Sequence, residues 1–438
     1  MGVVVNGLHG HSSLGFASSS LYKVTPQRED ISSYFAKQMG RIGGARMGNN
    51  TGSLFDRFSV VDVDTHLTEP PDVWTSRLPK KYGDSIPHLE RKGPKDMWFI
   101  NGKAAGAPGA YTMAGHDGIF PESYRDTWDE IPASAYDPGA RLKLMDDEGI
   151  HAQVLYPNVG GFGSGRFLRL PDEELKLACV TAYNDFVMEW TNEDPSRLIP
   201  VMGTPFWDVS ETVREIERCA KLGAKSVLFC NSPEAFDLPP TRHPHWDPVW
   251  SAAQDADLPV AFHIGGGDDA GLFRDNSQIG FQANFGRVSS LMVLDNIRCL
   301  ADIIFGGVCH RFPNLKFVSV ESGVGWIQGV LETFDWQWAN GGVRNENPEY
   351  KLLPSEYFRR QIYGCFWFEN AGIQSALELF PENILYETDY PHPTCQYPNP
   401  QTPAEHPRDY ADRVLSDLPE DTLQKVLHDN AAQLYKLT

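Results

Sequence analysis

The stretch Val60-Val61-Asp62-Val63-Asp64-Thr65-His66 decides how this chain folds. β-Branched residues alternate with polar ones at a period of two, which is the pattern of a buried strand. Side chains two residues apart on a strand face the same way, so we expect Asp62, Asp64 and His66 to share one face. Two carboxylates and an imidazole are costly to bury unless a cation compensates them, and both groups bind divalent metals. The stretch therefore predicts a metal site, with a strand end bearing solvated acids as the alternative.

Composition narrows the class of protein. The chain has 438 residues, of which 22% are charged and 41% hydrophobic, as in a largely globular protein. Its net charge of −20 disfavours nucleic acid and anionic membrane surfaces as partners, because both bind basic surfaces. The seven cysteines include no CxxC pair, which argues against a disulfide framework and a thiolate zinc site. We see no apolar run of bilayer-spanning length and no secretory signal, so we expect a cytoplasmic protein.

Two segments are predicted to lie outside the main body of the fold. Residues 1–56 are rich in Gly, Ser and Asn, and only Ile31–Met39 has a helical pattern. We expect an extended N-terminal arm, partly disordered or packed on a neighbouring subunit of a homodimer or larger assembly, and a heteromer stays open. Residues 75–135 contain many Pro, Gly and Trp residues and an Asn101-Gly102 hairpin signal. They are predicted to be an inserted cap within a single domain, 57–438.

Eight predicted strands follow one another after the arm, and predicted helices separate them from the second strand onward. They begin near residues 60, 151, 198, 224, 259, 315, 362 and 384. Gly149 and Gly223 follow two of the helical patterns directly, as helix-ending glycines do. This alternation predicts an α/β fold, a (β/α)8 TIM barrel with an N-terminal arm and an insertion after the first strand.

Barrels of this kind carry their chemistry at the C-terminal ends of the strands. Ligand-type residues end four of the predicted strands: Asp64 and His66, His263, Glu321, and Asp389. Because these strand ends meet at one mouth, we expect the five side chains to converge on a divalent metal. Asp62, two residues deeper than Asp64, is predicted to support the site rather than to bind the ion.

Three further residues receive predictions. His392 follows Asp389 by three residues, and Asn231 follows the fourth strand, so both are candidate substrate contacts. The alternative for His392 is that it only shapes the Pro391–Pro393 loop. His310 is predicted to lie on a helix end, away from the metal.

Several segments together resemble the amidohydrolase-2 group of the amidohydrolase superfamily, which includes aminocarboxymuconate semialdehyde decarboxylase and the resorcylate-type aromatic decarboxylases. They are Asp62–His66, Phe262-His263, Gly306-Gly307-Val308, Arg311–Lys316 and Glu387–Pro393. The resemblance runs in order over roughly residues 58–435. It implies a (β/α)8 barrel with one divalent metal, in which Asp64 and His66 match a first-strand motif that is commonly His-x-His.

The resemblance also implies a function: a metal-dependent hydrolase or decarboxylase acting on a small organic acid or amide. His263 matches the fifth-strand ligand and Asp389 the eighth-strand acid, which acts as general base in hydrolysis or, with Glu321, as a proton donor in decarboxylation. Glu321 stands where the family often has histidine, and the extra carboxylate can relay a proton or bind a second metal. We therefore expect zinc, manganese or iron, one or two ions per chain. A dinuclear iron or manganese oxygenase and a non-catalytic, metal-stabilised subunit are the alternatives.

Overall fold

A computed structural model describes residues 52–267 and 278–437 of the chain. These residues belong to one compact unit, Arg46–Thr438. Most of the predicted arm lies outside the described residues, so its role in assembly stays a prediction. The helix Leu54–Arg57 crosses the predicted boundary of the arm, and Leu54 and Phe55 are buried. Among the helices of the described ranges, none has both the length and the apolar character that a bilayer crossing requires.

Eight parallel strands form the barrel and neighbour one another in the order in which they occur along the chain. The strands of the described residues are β1 (Val60–His66), β2 (His88–Lys92), β3 (Lys95–Ile100), β4 (Lys103–Gly106), β5 (Ile150–Tyr156), β6 (Leu198–Gly203), β7 (Ser226–Leu228), β8 (Val260–His263), β9 (Phe317–Val320), β10 (Ile362–Phe366) and β11 (Ile384–Tyr386). The segment after the last strand bonds back to the first strand and closes the barrel: the Asp389 N–H donates to the Asp64 carbonyl over 2.9 Å. The predicted (β/α)8 barrel is confirmed.

Helices pack around the barrel and begin and end where the sequence signals predict. Asp137, Asp172 and Asp208 each accept a backbone N–H at a helix start, and Gly149 and Gly223 end two helices with φ of 75° and 107°. The helices are Leu54–Arg57, Pro138–Glu148, Glu173–Thr191, Val209–Leu222, Asp247–Asp255, Phe281–Phe305, Val308–Arg311, Ile327–Asn340, Val343–Glu346, Pro354–Gln361, Gly372–Leu379, Pro407–Leu415, Glu420–Gln424 and Asn430–Tyr435, with a π-helical turn at Lys425–Asp429.

The insertion after β1 carries a small antiparallel sheet of β2, β3 and β4. Asn101 and Gly102 form its tight turn with φ of 51° and 68°, the conformation that an Asn-Gly hairpin favours. Trp98 of β3 is fully buried, and its ring meets the ring of Trp74 edge to face, with 5.7 Å between the centroids. The predicted insertion is therefore a packed substructure anchored on the barrel.

One expectation for β1 is wrong: Asp62 does not share a face with Asp64 and His66. Val61 and Val63 pack with the apolar residues inside the barrel, so Asp62 between them faces the other way. Its carboxylate instead bonds to Gln153 and Thr388.

A bulge in β1 explains the difference. Asp62 pairs with Gln153 and Thr65 with Leu155, so three steps along β1 match two along β5. The extra residue interrupts the alternation of side chains, as β-bulges do next to active sites. Asp64 can therefore face the inside of the barrel mouth although Val63 also does.

Candidate metal centre

Six titratable side chains meet at the C-terminal mouth of the barrel. They are Asp64 and His66 at the end of β1, His263 at the end of β8, Glu321 just after β9, and Asp389 and His392 after β11. All six are buried, and Glu321, the most exposed of them, has 8% of its surface accessible. The structure thus brings together the five metal candidates that the sequence predicts, and adds His392.

Two imidazoles direct their Nε2 atoms at the centre of this cluster. The Nδ1 atom of His66 lies 3.1 Å from the Pro157 carbonyl, and that of His263 lies 2.7 Å from the Ile264 carbonyl. A carbonyl oxygen only accepts, so each Nδ1 carries a hydrogen, and in the neutral imidazole Nε2 then has a free lone pair. Metal-binding histidines are held in this way: the ring nitrogen that does not bind the metal donates its hydrogen to a backbone carbonyl.

Carboxylate oxygens surround the two Nε2 atoms. Asp64 reaches both, with Oδ1 3.5 Å from His66 and Oδ2 3.5 Å from His263. Asp389 Oδ1 is 3.5 Å from His66 Nε2, and Glu321 Oε2 is 3.6 Å from His263 Nε2. Nitrogen and oxygen ligands that lie about 2.0–2.2 Å from one ion are about 3.0–3.6 Å from one another. The spacing therefore suits a shared metal ion.

The donor set fits a divalent cation on chemical grounds as well. Both carboxylate oxygens of Asp64 are buried and accept no hydrogen bond within the described part of the chain. Burial, followed by the charge of Asp62, raises the pKa of Asp64 well above its usual value, and burial and Asp64 do the same to the pKa of Asp389. A cation removes both penalties, because it pairs the orphaned oxygens and favours their ionised form. Carboxylates with neutral imidazoles suit manganese, iron or zinc.

The loops that carry the acids are held in unusual conformations. Glu321 and Asp389 both have left-handed backbones, with φ of 54° and 58°. Such conformations are unfavourable for residues with a Cβ and persist where surrounding contacts enforce them. The Thr394 hydroxyl donates to Asp389 Oδ2 over 2.8 Å, and the Glu321 N–H donates to Glu387 Oε2 over 3.3 Å. The first bond orients the Asp389 carboxylate, and the second holds the backbone at Glu321.

Asp62 lies behind the cluster and joins β1 to the segment that carries Asp389. The backbone N–H and the hydroxyl of Thr388 donate to its two oxygens over 2.9 and 2.6 Å, and Gln153 Nε2 donates over 3.2 Å. Burial raises the pKa of Asp62 to about 7. The contacts match the supporting role predicted for Asp62, since they tie β1 to the residue that precedes Asp389.

A cavity of about 650 Å³ opens directly above the cluster. Glu321 and His392 reach it from below, and Thr394 lies beside them. Its walls are mainly aromatic and apolar: Tyr111, Phe120, Phe162, Leu168, Phe236, Phe285 and Met292. The volume and the apolar walls with a few convergent polar groups are typical of a site for a small organic molecule.

Comparison with known proteins identifies the family. An amidohydrolase family model matches residues 61–437. The chain belongs to the amidohydrolase family. This amidohydrolase is 24% identical over 346 residues to gamma-resorcylate decarboxylase of Polaromonas sp., a match that covers 74% of the chain and 95% of that enzyme.

Solved structures share the fold of this amidohydrolase. An amidohydrolase of Mycobacterium avium subsp. paratuberculosis superposes with a TM-score of 0.69 at 22% identity, covering 86% of this chain and 99% of its own. A dihydroxybenzoic acid decarboxylase of Polaromonas sp., with bound manganese and the inhibitor 2-nitroresorcinol, superposes with a TM-score of 0.54 at 18% identity, covering 87% and 97%.

The family makes this protein an enzyme of the hydrolase or carboxy-lyase class, as the sequence predicts. The oxygenase and the non-catalytic subunit receive no support from these relatives. The cluster of His66, His263 and Asp64 is a metal-binding arrangement.

Two of the other predicted residues contribute no side-chain atom to the cluster. Asn231 Nδ2 donates to the His263 carbonyl over 3.2 Å and to Asn296 Oδ1 over 2.8 Å, so it braces the end of β8. Its direct contact with substrate stays a prediction. His310 lies in the short helix Val308–Arg311 against Tyr350, with 5.1 Å between the rings, away from the metal candidates as predicted.

Four residues of the site carry no role in the sequence-based prediction: Asn158, Phe162, Glu387 and Thr394. Glu387 had a usable signal, because it stands two residues before Asp389 at a strand end. Burial, and then the charge of Asp64, raise its pKa well above the usual value. Asn158, Phe162 and Thr394 come from loops, where no periodic pattern indicates which way a side chain points.

Proposed function

We propose that this amidohydrolase is a manganese-dependent decarboxylase of aromatic carboxylic acids. The observation that carries the proposal is Glu321, a buried carboxyl group at the floor of an aromatic-walled cavity and beside the metal candidates. The decarboxylase relative, matched over 95% of its length, supports the reaction class. The manganese in the dihydroxybenzoic acid decarboxylase structure supports the choice of metal.

Asp64, His66, His263 and Asp389 would hold a single ion. When bound, the ion would supply a Lewis acid that orients the substrate carboxylate. Asp64 and Asp389 together balance two positive charges. A third ionised carboxylate would exceed that charge, so Glu321 keeps its proton in the resting enzyme.

Glu321 is the proton donor in the proposed reaction. Burial, and then the charge of Asp389, raise its pKa well above the usual value, which favours a protonated carboxyl group near neutral pH. The carboxyl group transfers its proton to the ring carbon that bears the substrate carboxylate. The bond between that carbon and the carboxylate then breaks, its electron pair returns to the ring, and carbon dioxide leaves. Glu321 regains a proton from water.

The aromatic walls supply the remaining part of the site. The ring of Phe162 lies 4.2 Å from the ring of His263, so it covers one side of the cluster. A flat aromatic substrate can lie against such a surface with its carboxylate turned towards the cluster floor. A substrate seated against these walls would displace water, which strengthens the interaction of Glu321 with the developing charge on the substrate.

We further propose a cytoplasmic homodimer or larger assembly. The seven cysteines are all buried, and no two of them form a CxxC pair, which suits a reducing compartment. The arm offers Leu21-Tyr22 and Tyr34-Phe35 as apolar anchors for a partner subunit.

The test of the reaction uses the full chain loaded with manganese and a panel of hydroxylated benzoic acids. We expect release of carbon dioxide from at least one acid and loss of the activity after chelation. In heavy water, the product should carry one deuterium at the ring position that the carboxylate vacated. Hydrolysis of aryl esters or amides, with no carbon dioxide released from any acid, would contradict the proposal.

A further inference from the structure

Asn158 determines which nitrogen of His392 carries the hydrogen. The Nδ2 atom of Asn158 donates to the Leu67 carbonyl over 2.8 Å. Turning the amide over would place its oxygen against that carbonyl, so the orientation follows from the chemistry of the contact. The Oδ1 atom then faces His392 Nε2 at 2.6 Å and can only accept from it. His392 is therefore protonated on Nε2.

The other nitrogen of His392 faces the metal candidates. With the hydrogen on Nε2, neutral His392 has a lone pair on Nδ1, which lies 2.9 Å from Asp389 Oδ1. The ring of His392 stacks on that of His66, with 3.6 Å between the centroids. The Nε2 lone pair of His66 points at the same oxygen from 3.5 Å. Three atoms with lone pairs therefore lie close together: His392 Nδ1, Asp389 Oδ1 and His66 Nε2. A single hydrogen cannot bridge all three.

A cation resolves this arrangement better than a proton does. A proton between His392 and Asp389 would satisfy one pair and leave His66 Nε2 facing the same oxygen. A single cation satisfies all three atoms, which lie within 4.8 Å of one another. Separations of 2.9 and 3.5 Å match neighbouring ligands held about 2.0–2.2 Å from an ion.

We propose that His392 Nδ1 is a third imidazole ligand of the metal ion, and that Asn158 is its positioning residue. The inference deepens the proposed function and rests on the metal site described there. Both ring nitrogens of His392 have partners within the protein, which argues against the substrate contact predicted from the sequence.

The rest of the structure holds His392 where this role needs it. Its backbone N–H donates to the Asp389 carbonyl over 2.9 Å, and the N–H groups of Met113 and Ala114 both donate to the Pro391 carbonyl. Asn158 is fixed in turn by Glu69, whose Oε1 accepts the backbone N–H of Asn158 over 2.8 Å. The inserted cap and the loop after β5 thus contact the loop that carries Asp389 and His392 from two sides.

The most direct test counts nitrogen ligands in the wild-type enzyme. Pulsed electron paramagnetic resonance of the full chain loaded with manganese should show three histidine nitrogens. Two nitrogens would overturn the inference and leave the proposed function standing. A wild-type chain that binds no manganese would overturn both.

Variants give a second, independent readout. His392→Ala should raise the dissociation constant for cobalt about 10- to 100-fold and alter the visible cobalt spectrum, and added imidazole should restore the spectrum. Asn158→Leu should weaken cobalt binding about tenfold, because His392 can then carry its hydrogen on either ring nitrogen. His310→Ala, a remote histidine variant, should match wild type. Unchanged cobalt affinity and spectrum in a folded His392→Ala, with a higher KM, would assign His392 to the substrate instead.

Discussion

The Nε2 atoms of His66 and His263 lie 3.2 Å apart, and in the neutral imidazoles neither of them carries a hydrogen. Each Nδ1 donates to a backbone carbonyl, so the two lone pairs face one another across the barrel mouth. That contact is repulsive in a neutral protein and becomes favourable when both nitrogens bind one cation. The relationship indicates that the fold is built around an ion rather than around a hydrogen-bonded pair.

Replacement of His263 should empty the site without unfolding the barrel. His263→Ala removes one of the two facing imidazoles at the very end of β8, beyond the packed interior. We expect the variant to lose most of its bound metal and to lose activity more than about 100-fold. Elemental analysis and circular dichroism of the purified protein check this, with His310→Ala as the matched control. Full metal occupancy in His263→Ala would remove His263 from the ligand set.

Stability of the metal-free enzyme should depend on pH through Asp62. Its pKa is raised to about 7 in the folded protein, against an ordinary value of 3.8, so the folded state holds the proton more tightly. The contribution of Asp62 to stability is therefore full below about pH 4 and is lost as the pH rises towards 7, at up to about 1.4 kcal/mol per unit. Asp62→Asn cannot titrate and should show a flatter profile in denaturant unfolding between pH 5 and 7. Parallel profiles would contradict this assignment.

Periodicity predicted most of the fold, because the barrel repeats simple local signals. Strand and helix patterns alternate, and glycines such as Gly149 stand where helices end. The convergence of Asp64, His66, His263, Glu321 and Asp389 followed from one further rule, that strand ends share a mouth.

What periodicity missed depends on irregular backbone. The bulge in β1 puts Asp62 on the opposite face from Asp64 and His66, and a strict period of two cannot predict a bulge. Asn158 and Thr394 act from loops, where the direction of a side chain is set by tertiary contacts such as the bond from Thr394 to Asp389. His392 was identified as a site candidate, but its orientation depends on Asn158, more than two hundred residues away in the chain.

The N-terminal arm gives a prediction about assembly. Leu54 and Phe55 are buried against the barrel unit, so a shortened chain should begin at Gly52 to spare them. We expect this chain to fold and to form particles of fewer subunits than the full chain, as measured by light scattering, because it lacks Leu21-Tyr22 and Tyr34-Phe35. An unchanged number of subunits would show that the arm makes no contribution to assembly.

The charge balance at Glu321 tests the central claim most directly. Glu321→Gln keeps the shape of the side chain and removes both its charge and its transferable proton. We predict one manganese ion per chain in the wild type and in the variant, with turnover of the aromatic acid reduced about 10²- to 10⁴-fold in the variant. The measurement is elemental analysis of both proteins alongside their rates of carbon dioxide release. Nearly two ions per wild-type chain, falling to about one in Glu321→Gln, would contradict a single-metal decarboxylase with Glu321 as its acid.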